Sequence, residues 1–517
     1  MHRTRPILIV CVISLATLVL SAACTGEEPE PEPSEPDAAS ASYESAPCPN
    51  PIYGTTTDFD LPPEYTCGYL TVPEDRSDPG GPTIRIAVAV RPATDPNPKP
   101  DPIVFLSGGP GGSGIAEGPG VAKAWHPDRD VIFVDQRGAL KSEPFLACPE
   151  VDEYMRSTEG MSWSDPATRE QSAAVLTTCR DRLTADGWNL GMYNTTESTA
   201  DLADLRVAMG IDEWNVYGVS YGSDFALQLL RDHPEGLRTV IVDAVVPPDV
   251  DVIETGWLAG NESASAIYDE CAAQPECSAA FPAGIHEYVE VVNDLAANPR
   301  TVRVTDPRSG EEVDVVVDAY KLTYTVAFAT LLGSIPKIPS LIHNLAVGDG
   351  SEAALEVLAG RFPPSFNSYG LQWGVLCSEM IGPGDLDVVQ ENGAIAWPGF
   401  PTAVTDLPAM FPWAFSDCAA WDVPAAPAQA AVAATSETPV LLTSGQFDAT
   451  APPSYALHAS QTLPNSQQLV FAGVGHSASR WAPECFATVL AGFLDEPLAP
   501  VDQSCVDAIT VPPFVVP

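Results

Sequence analysis

A serine at the centre of a Gly-x-Ser-x-Gly motif is the first residue that could do chemistry. Ser220 stands between an apolar run at residues 214–217 and a helical run at residues 224–230. A strand, a tight turn and a helix in this order form the nucleophile elbow, in which small neighbours permit a strained serine and the helix N-terminus faces developing negative charge. Because glycine and serine are common in loops, a nucleophilic role for Ser220 also requires an acid, a base and an oxyanion donor elsewhere.

An acid and a base follow Ser220 along the chain. Asp448 comes soon after the apolar run at residues 440–442, and His476 stands in a glycine-flanked turn after the run at residues 466–471. The order Ser, Asp, His is that of the α/β-hydrolases and differs from those of the chymotrypsin and subtilisin types. Each side chain would lie beyond a strand end, so all three would meet at one edge of a sheet. We therefore predict a catalytic triad in which His476 takes the proton of Ser220 and Asp448 orients and stabilises the imidazole.

Each of these residues also has an ordinary structural explanation. A serine in a turn and an aspartate that caps a helix are both common. Asp243, at the end of the apolar run at residues 238–242, is a rival for the acid. Among the seven histidines, His476 alone ends a predicted strand in a glycine-flanked turn. The joint order and placement favour the triad.

A glycine-rich loop precedes the serine motif. Residues 107–114 (SGGPGGSG) follow the apolar run at residues 102–106, and such a loop exposes backbone N–H groups that suit an anion. Phosphate is one such anion, but the lysine of the phosphate-binding Gly-x-x-x-x-Gly-Lys motif is absent. We expect an oxyanion hole built from the backbone N–H groups of Gly109 and Tyr221.

Short apolar strands alternate with helices over residues 47–248 and again over residues 436–517. This spacing predicts an α/β fold, an α/β-hydrolase core with a mostly parallel sheet in two parts. Between the two parts, residues 249–435 lack the alternation, and we expect them to form a large, mainly helical cap over the edge of the sheet. The helices predicted in the cap cover residues 263–274, 286–297, 319–332 and 351–359.

The chain begins with an export signal. The apolar run at residues 7–20, preceded by arginines, is short for a membrane span and is typical of a secretory signal peptide covering residues 1–23. Cys24 resembles the lipidated cysteine of a bacterial lipobox, although Ser21 stands where that motif usually has an aliphatic residue, so simple secretion is the alternative. Residues 24–46 are rich in proline and glutamate and predict a disordered linker. The protein would then lie outside the cell, anchored to the outer face of the membrane through Cys24 or secreted.

The cysteine count agrees with export. Removing the signal discards Cys11 and lipidation uses Cys24, which leaves ten cysteines, an even number as expected of an oxidised protein. The chain has no C-x-x-C and no cluster of cysteine and histidine, so we expect no metal site and no cofactor. The sequence leaves the connectivity open, and pairing neighbours in chain order gives Cys48–Cys67, Cys148–Cys179, Cys271–Cys277, Cys377–Cys418 and Cys485–Cys505.

The charge is strongly acidic. The chain has 24 Lys+Arg against 69 Asp+Glu, a net charge of −45. Such a surface opposes binding of nucleic acid or anionic lipid through charge, and it attracts a basic or neutral substrate more readily than an acidic one. A general adaptation of the surface to solubility is the simpler explanation of the charge.

The motifs together resemble a known family. Nearly everything from Cys48 to Cys505 is similar to the tripeptidyl-aminopeptidase-like and prolyl-aminopeptidase-like serine hydrolases, exported actinobacterial α/β-hydrolases. The resemblance implies release of short peptides from a free N-terminus, although some relatives act mainly on esters. It is carried by GGPGGSG at residues 108–114, DQRG at 135–138, GVSYGS at 218–223, TPVLLTSGQFDATAPP at 438–453 and GVGH at 473–476.

Relatives of this kind read a free α-amine with carboxylates from the cap, because a buried ammonium needs a counter-charge. Glu379 is our candidate for that role, and an ordinary surface acid is the alternative. One departure is Ala451, which stands where the family often has threonine, with Thr450 adjacent. Two other functions stay open, a carboxylesterase or lipase that uses the same triad and a non-catalytic surface binding protein. The sequence leaves the oligomeric state unknown.

Overall fold

The computed structural model describes residues 41–52, 58–125, 128–360 and 367–517. The expected signal peptide, Cys24 and most of the expected linker lie outside these ranges. The strands are β1 (Ser42–Ala46), β2 (Thr66–Pro73), β3 (Thr83–Arg91), β4 (Ile103–Leu106), β5 (Val131–Val134), β6 (Trp214–Val219), β7 (Leu237–Asp243), β8 (Arg300–Thr305), β9 (Glu312–Val317), β10 (Val440–Gly445) and β11 (Ser466–Phe471).

The α-helices of these ranges are α1 (Gly114–Val121), α2 (Pro149–Ser157), α3 (Pro166–Ala185), α4 (Thr195–Ala208), α5 (Tyr221–Asp232), α6 (Gly256–Ala273), α7 (Pro275–Ala280), α8 (Ile285–Ala297), α9 (Ala319–Leu332), α10 (Ile338–Ala346), α11 (Ser351–Ala359), α12 (Tyr369–Val375), α13 (Leu386–Ala396), α14 (Thr402–Thr405), α15 (Ala414–Trp421), α16 (Pro453–Ser460), α17 (Ala478–Trp481), α18 (Pro483–Asp495) and α19 (Ser504–Asp507). A π-helical turn, Leu376–Met380, continues α12. Short 3₁₀ helices cover Ala122–Ala124, Thr158–Gly160, Leu190–Met192, Ile335–Lys337 and Ala428–Ala431.

Nine of the strands form one sheet in the order β1-β2-β3-β5-β4-β6-β7-β10-β11. The six strands from β5 to β11 in that order are parallel, and β1, β2 and β3 add an antiparallel edge. Every residue of β4 (IVFL) and β5 (VIFV) is buried, as in a parallel sheet with helices on both faces. The expected α/β fold, with a mostly parallel sheet and a large helical insertion, is confirmed.

The strand order decides which loops come together. In parallel strands, all C-terminal ends lie at the same edge of the sheet. Only β7 separates β6 from β10, and β11 lies beside β10. The loops that leave β6, β10 and β11 carry Ser220, Asp448 and His476, so the topology places the three predicted catalytic residues at one edge.

The first strand lies where we expected a disordered linker. β1 pairs with β2, and the ring of Tyr43 lies over Gly68, where an added Cβ would be 2.5 Å from the tyrosine Oη. The Cys48–Cys67 disulfide ties the same two segments just beyond β1. The predicted linker, residues 24–46, is therefore wrong for residues 42–46, because strand pairing and a disulfide order a segment whose own composition is polar.

Helices dominate the region between β7 and β10, as the sequence predicts. The four predicted helices correspond to α6, α8, α9 and α11. The hairpin of β8 and β9 was not predicted, although its apolar residues alternate with polar ones (TVRVT and EVDVV), which is the pattern of a half-buried strand.

The helices α2 and α3 precede β6 in the chain but pack against this inserted region. Ser172 on α3 donates a hydrogen bond to Asp417 on α15 at 3.0 Å, and the Lys321 ammonium on α9 donates to the carbonyl oxygens of residues 158, 159 and 161. The inserted region is therefore packed against a segment that lies before β6 in the chain.

Ten cysteines form five disulfides, and they are the pairs that chain order predicts. The disulfides are Cys48–Cys67, Cys148–Cys179, Cys271–Cys277, Cys377–Cys418 and Cys485–Cys505.

Among the described residues, none of the helices has the length and apolar character needed to cross a membrane.

Candidate active site

Ser220 lies on a strained turn between β6 and α5. Its φ and ψ are 59° and −129°, a conformation that costs free energy for any residue other than glycine. The turn is this tight because its glycines touch backbone: an added Cβ would lie 2.0 Å from the Gly222 oxygen at Gly218, and 2.3 Å from the Leu106 oxygen at Gly222. The motif therefore needs both glycines for steric reasons, and it holds a partly exposed serine at the start of a helix.

Asp448 and His476 are joined by a hydrogen bond. The Asp448 Oδ2 lies 2.8 Å from the His476 Nδ1, with the aspartate fully buried and the imidazole 9% exposed. The other carboxylate oxygen accepts the backbone N–H groups of Thr450 at 2.9 Å and Ala451 at 3.0 Å. The carboxylate is thus oriented from one side while it holds the imidazole from the other.

Thr450 completes this arrangement. Its hydroxyl donates to Asp448 Oδ1 at 3.0 Å and lies 2.8 Å from His476 Nδ1. The family's threonine is replaced by Ala451 in this chain, but Ala451 still contributes its backbone N–H, and the neighbouring hydroxyl contacts both the acid and the base.

Asp243, the rival acid, anchors the loop that carries the base. It is fully buried at the end of β7, and its carboxylate accepts hydrogen bonds from five donors. Its backbone oxygen also accepts the N–H of Ser220 at 3.0 Å, so one residue contacts both the elbow and the segment just after His476. The five donors are Tyr217 Oη, Thr443 Oγ1, Ser477 Oγ and the backbone N–H groups of Ala478 and Ser479.

The glycine-rich loop lies directly against the elbow. A Cβ added to Gly108 would be 2.8 Å from the Cβ of Ser220. Gly109 has a φ of +117°, which favours glycine. Tyr221 is the first residue of α5, where backbone N–H groups have no acceptor within the helix. Of the two residues predicted to form the oxyanion hole, Tyr221 therefore follows Ser220 directly, and Gly109 follows the glycine that touches Ser220.

Asp135, at the end of the strand next to this loop, holds it in place. One carboxylate oxygen accepts from the hydroxyl of Ser113 at 2.6 Å and from the N–H of Ile115 at 3.0 Å, and the other accepts the N–H of Lys141. Complete burial raises the pKa of Asp135, while these hydrogen bonds oppose the rise. The aspartate of the DQRG segment thus has a supporting role that the sequence did not reveal.

Glu379 lies on the π-helical turn and contacts core helices. Its carboxylate accepts the backbone N–H of Thr195, the first residue of α4, at 2.6 Å, and lies 3.5 Å from the amide nitrogen of Gln228. Burial raises its pKa. It is therefore no ordinary surface acid, the alternative that the sequence left open.

A second carboxyl accompanies Glu379. Asp224 is 2% exposed on α5, one turn after Ser220, and accepts from Gln228 at 3.1 Å. Burial first, and then the charge of Glu379, raise its pKa well above the ordinary value. Asp224 is not among the predicted site residues, although an acid in the otherwise apolar run of α5 is a sign of a buried polar site.

The sheet, the elbow after β6 and the Asp448–His476 pair define an enzyme of the α/β-hydrolase class. Residues 101–265 match the family model described as "alpha/beta hydrolase fold", and residues 408–505 match the model described as "TAP-like protein". The chain is an α/β-hydrolase and a serine hydrolase, and its resemblance to the tripeptidyl-aminopeptidase-like and prolyl-aminopeptidase-like group is confirmed.

Three similar proteins illustrate the relationship. The chain is 26% identical over 490 residues to the serine protease Hip1 of Mycobacterium tuberculosis, covering 86% of this chain and 88% of that protein. It is 30% identical over 220 residues to the tripeptidyl aminopeptidase of Streptomyces lividans, covering 40% and 39% of the two chains. Among solved structures, the proline iminopeptidase of Mycobacterium smegmatis has 16% identity and a TM-score of 0.38, covering 80% of this chain and 95% of that one.

Proposed function

We propose that the protein is an exported serine peptidase that removes short peptides from free N-termini. The observation that carries the proposal is the hydrogen-bonded Asp448–His476 pair. Asp448 follows β10 and His476 follows β11, at the same edge of the sheet where the strained Ser220 follows β6. The names of the relatives, a serine protease and a tripeptidyl aminopeptidase, support peptide rather than ester substrates.

The mechanism follows from the roles of these groups. The His476 imidazole removes the proton of the Ser220 hydroxyl as its oxygen attacks the substrate carbonyl, and Asp448 stabilises the imidazolium that forms. The backbone N–H groups of Gly109 and Tyr221 hold the negative oxygen of the tetrahedral intermediate. The imidazolium then protonates the leaving amine, and water releases the acyl group by the same steps in reverse order.

Glu379 and Asp224 supply the counter-charge for the substrate's α-ammonium. Both carboxyls have raised pKa values because of burial, and an incoming cation would favour their charged forms. The net charge of −45 adds long-range attraction for a cationic substrate.

Export completes the proposal. The signal peptide at residues 1–23 directs secretion, and lipidation of Cys24 anchors the mature chain to the outer face of the membrane. Five disulfides support an oxidising compartment. Mass spectrometry of the N-terminal peptide tests the anchor, since a lipidated Cys24 carries acyl chains that a simply secreted chain lacks.

A matched set of substrates tests the activity. We expect a free-amine tripeptidyl anilide to be cleaved, its N-acetylated twin to be cleaved at least tenfold more slowly, and Ser220→Ala to lower kcat about a million-fold. Ser460→Ala, on a partly exposed serine at the end of α16, is the control and keeps the wild-type rate.

The remaining outcomes separate the alternatives. Equal cleavage of the free and acetylated peptides contradicts release from free N-termini, and turnover of a p-nitrophenyl ester alone selects a carboxylesterase. Absence of any turnover that depends on Ser220 leaves a binding protein. Glu379→Gln keeps an acceptor for the Thr195 N–H, so it should raise KM for the free-amine peptide and leave the ester rate unchanged.

A further inference from the structure

An aromatic cavity of about 170 Å³ lies among helices α2, α3, α9, α12 and α15. We give this name to the space whose walls include Tyr154, Trp163, Phe328, Trp373, Phe411 and Trp413. An apolar cavity of about 150 Å³ holds one benzene molecule, so this one has room for a single aromatic ring. Aromatic walls favour such a ring, because edge-to-face and offset contacts add to the burial of apolar surface.

The aromatic cavity begins beside the glycine-rich loop. Asn367 lines it, and the Asn367 Oδ1 lies 2.9 Å from the position of a Cβ added to Gly111. The next residue, Ser368, donates its backbone N–H to the Gly111 oxygen at 2.9 Å. Because Gly108 of the same loop touches Ser220, one loop links Ser220 to a residue that lines the cavity.

The wall contains buried polar groups that lack partners. Asp417 is 2% exposed, Trp163 8% and Trp373 7%. Within the described residues, no donor reaches the Asp417 Oδ1, whose sister oxygen accepts from Ser172, and no acceptor reaches either indole N–H. A buried polar group without a partner is unfavourable, so a bound group that pairs with these atoms would be favoured.

Charges of both signs line the aromatic cavity. Lys321 and Arg156 are basic, and four lining residues are acidic: Asp152, Glu159, Glu356 and Asp417. The Lys321 ammonium lies 5.5 Å from the centre of the Trp163 ring and donates to three backbone carbonyls. Burying a further ammonium in this space carries a desolvation cost that a neutral ring avoids. A phenol hydroxyl can both donate and accept, so it can pair with Asp417 and with an indole N–H without adding a charge.

We propose that the aromatic cavity is a substrate subsite that receives an aromatic side chain, with Asp417 hydrogen-bonded to a hydroxyl on the ring. The inference rests on the proposed function, since it supposes that a peptide is held at Ser220. It makes the enzyme selective for peptides with tyrosine, and next phenylalanine, close to the scissile bond.

Free-amine tripeptide anilides test the selectivity. In a trialanine reference, tyrosine, phenylalanine or lysine replaces one alanine at a time, and kcat/KM is measured for each. We expect tyrosine at one position to raise kcat/KM about 10- to 100-fold over alanine, with phenylalanine in between. Val175→Phe, which fills the cavity from α3, should remove this preference, while Val207→Phe, on a valine that is 68% exposed, should keep it.

Asp417→Leu distinguishes the contribution of the substrate's aromatic ring to kcat/KM from that of its hydroxyl. Relative to the trialanine peptide in the same variant, kcat/KM for the tyrosine peptide should fall about tenfold, to the level of the phenylalanine peptide. Thermal unfolding and p-nitrophenyl acetate turnover show whether each variant is folded and its Ser220 chemistry intact. Tyrosine amide should also quench the tryptophan fluorescence of the wild type and not that of Val175→Phe.

The outcomes distinguish the two proposals. Turnover that persists in Ser220→Ala overturns the proposed function. Turnover that depends on Ser220 but shows no aromatic preference, or a preference that survives Val175→Phe, overturns the subsite alone. A preference for lysine over tyrosine also overturns the subsite proposal, because Asp417 would then pair with the ammonium group of the substrate and not with a hydroxyl on a ring.

Discussion

Two buried aspartates near the base have different tasks. Asp448 contacts the imidazole of His476 directly, whereas Asp243 accepts five hydrogen bonds, three of them from the segment after His476. A carboxylate that receives five hydrogen bonds in a fully buried position is costly to alter, because every donor loses an acceptor. At the scale of single residues, these contacts suit Asp448 to the acid of the proposed triad and Asp243 to a structural role.

Substitution by asparagine should separate the two aspartates. We expect Asp448→Asn to lower kcat about 10,000-fold, because the amide favours the wrong imidazole tautomer, with little change in Tm. Asp243→Asn should instead lower the free energy of unfolding by about 2–4 kcal/mol and reduce kcat far less. Parallel kinetics and calorimetry check this, and a larger loss of kcat in Asp243→Asn would assign the acid to Asp243.

At the scale of elements, the helices that cover the sheet are held by covalent links as well as by packing. The disulfide Cys377–Cys418 joins the π-helical turn to α15 across 41 residues, and Cys271–Cys277 closes only six residues between α6 and α7. A longer closed loop restricts the unfolded chain more strongly, so the two disulfides should differ in their contributions to stability.

The two disulfides form a matched pair for mutation. Replacing both cysteines of Cys377–Cys418 by serine should lower the free energy of unfolding by about 4 kcal/mol, and the same change at Cys271–Cys277 by about 2 kcal/mol. Denaturant titration measures both. Equal losses would mean that packing around α15 already restricts the chain and that loop closure adds little.

At the scale of the whole molecule, acidity is present both on the surface and inside. The net charge is −45. Burial raises the pKa of Asp417 to about 8 and that of Asp251 to about 6, and it also raises the pKa of Glu379. A carboxyl of the unfolded chain has a pKa of about 4. Between pH 4 and pH 8 the folded chain therefore binds more protons than the unfolded chain.

Stability should consequently fall as pH rises. Since the folded state holds the extra protons, the free energy of unfolding decreases from about pH 4 up to the folded pKa of each buried acid. The pKa of Lys321, lowered to about 8 by burial, acts in the opposite direction only above that pH. We expect a higher Tm at pH 5 than at pH 8, measured at high salt to screen surface repulsion.

Asp417→Asn should make this dependence shallower, because the amide has no proton to lose. Asp387→Asn, on an exposed acid of α13, should leave the slope unchanged. A Tm that is flat or rises between pH 5 and pH 8 would contradict the prediction.

Much of the architecture was predictable from local patterns. Continuous apolar runs marked β4, β5 and β6, glycine spacing marked the elbow at Ser220, and apolar periodicity marked four helices of the insertion. These features depend on residues close together in the chain, where side-chain type and spacing decide the outcome. The hairpin of β8 and β9 belonged to the same class and could have been predicted from its alternation.

The order Ser220, Asp448, His476 and the family resemblance are properties of the sequence by itself, as is the even number of cysteines. Only the tertiary structure decided that Asp448 contacts His476 while Asp243 anchors the following loop, that β1 joins the sheet, and that α2 and α3 complete the aromatic cavity with Asp417. These contacts join segments tens to hundreds of residues apart. Their geometry follows from strand order and from packing between helices, which no local pattern encodes.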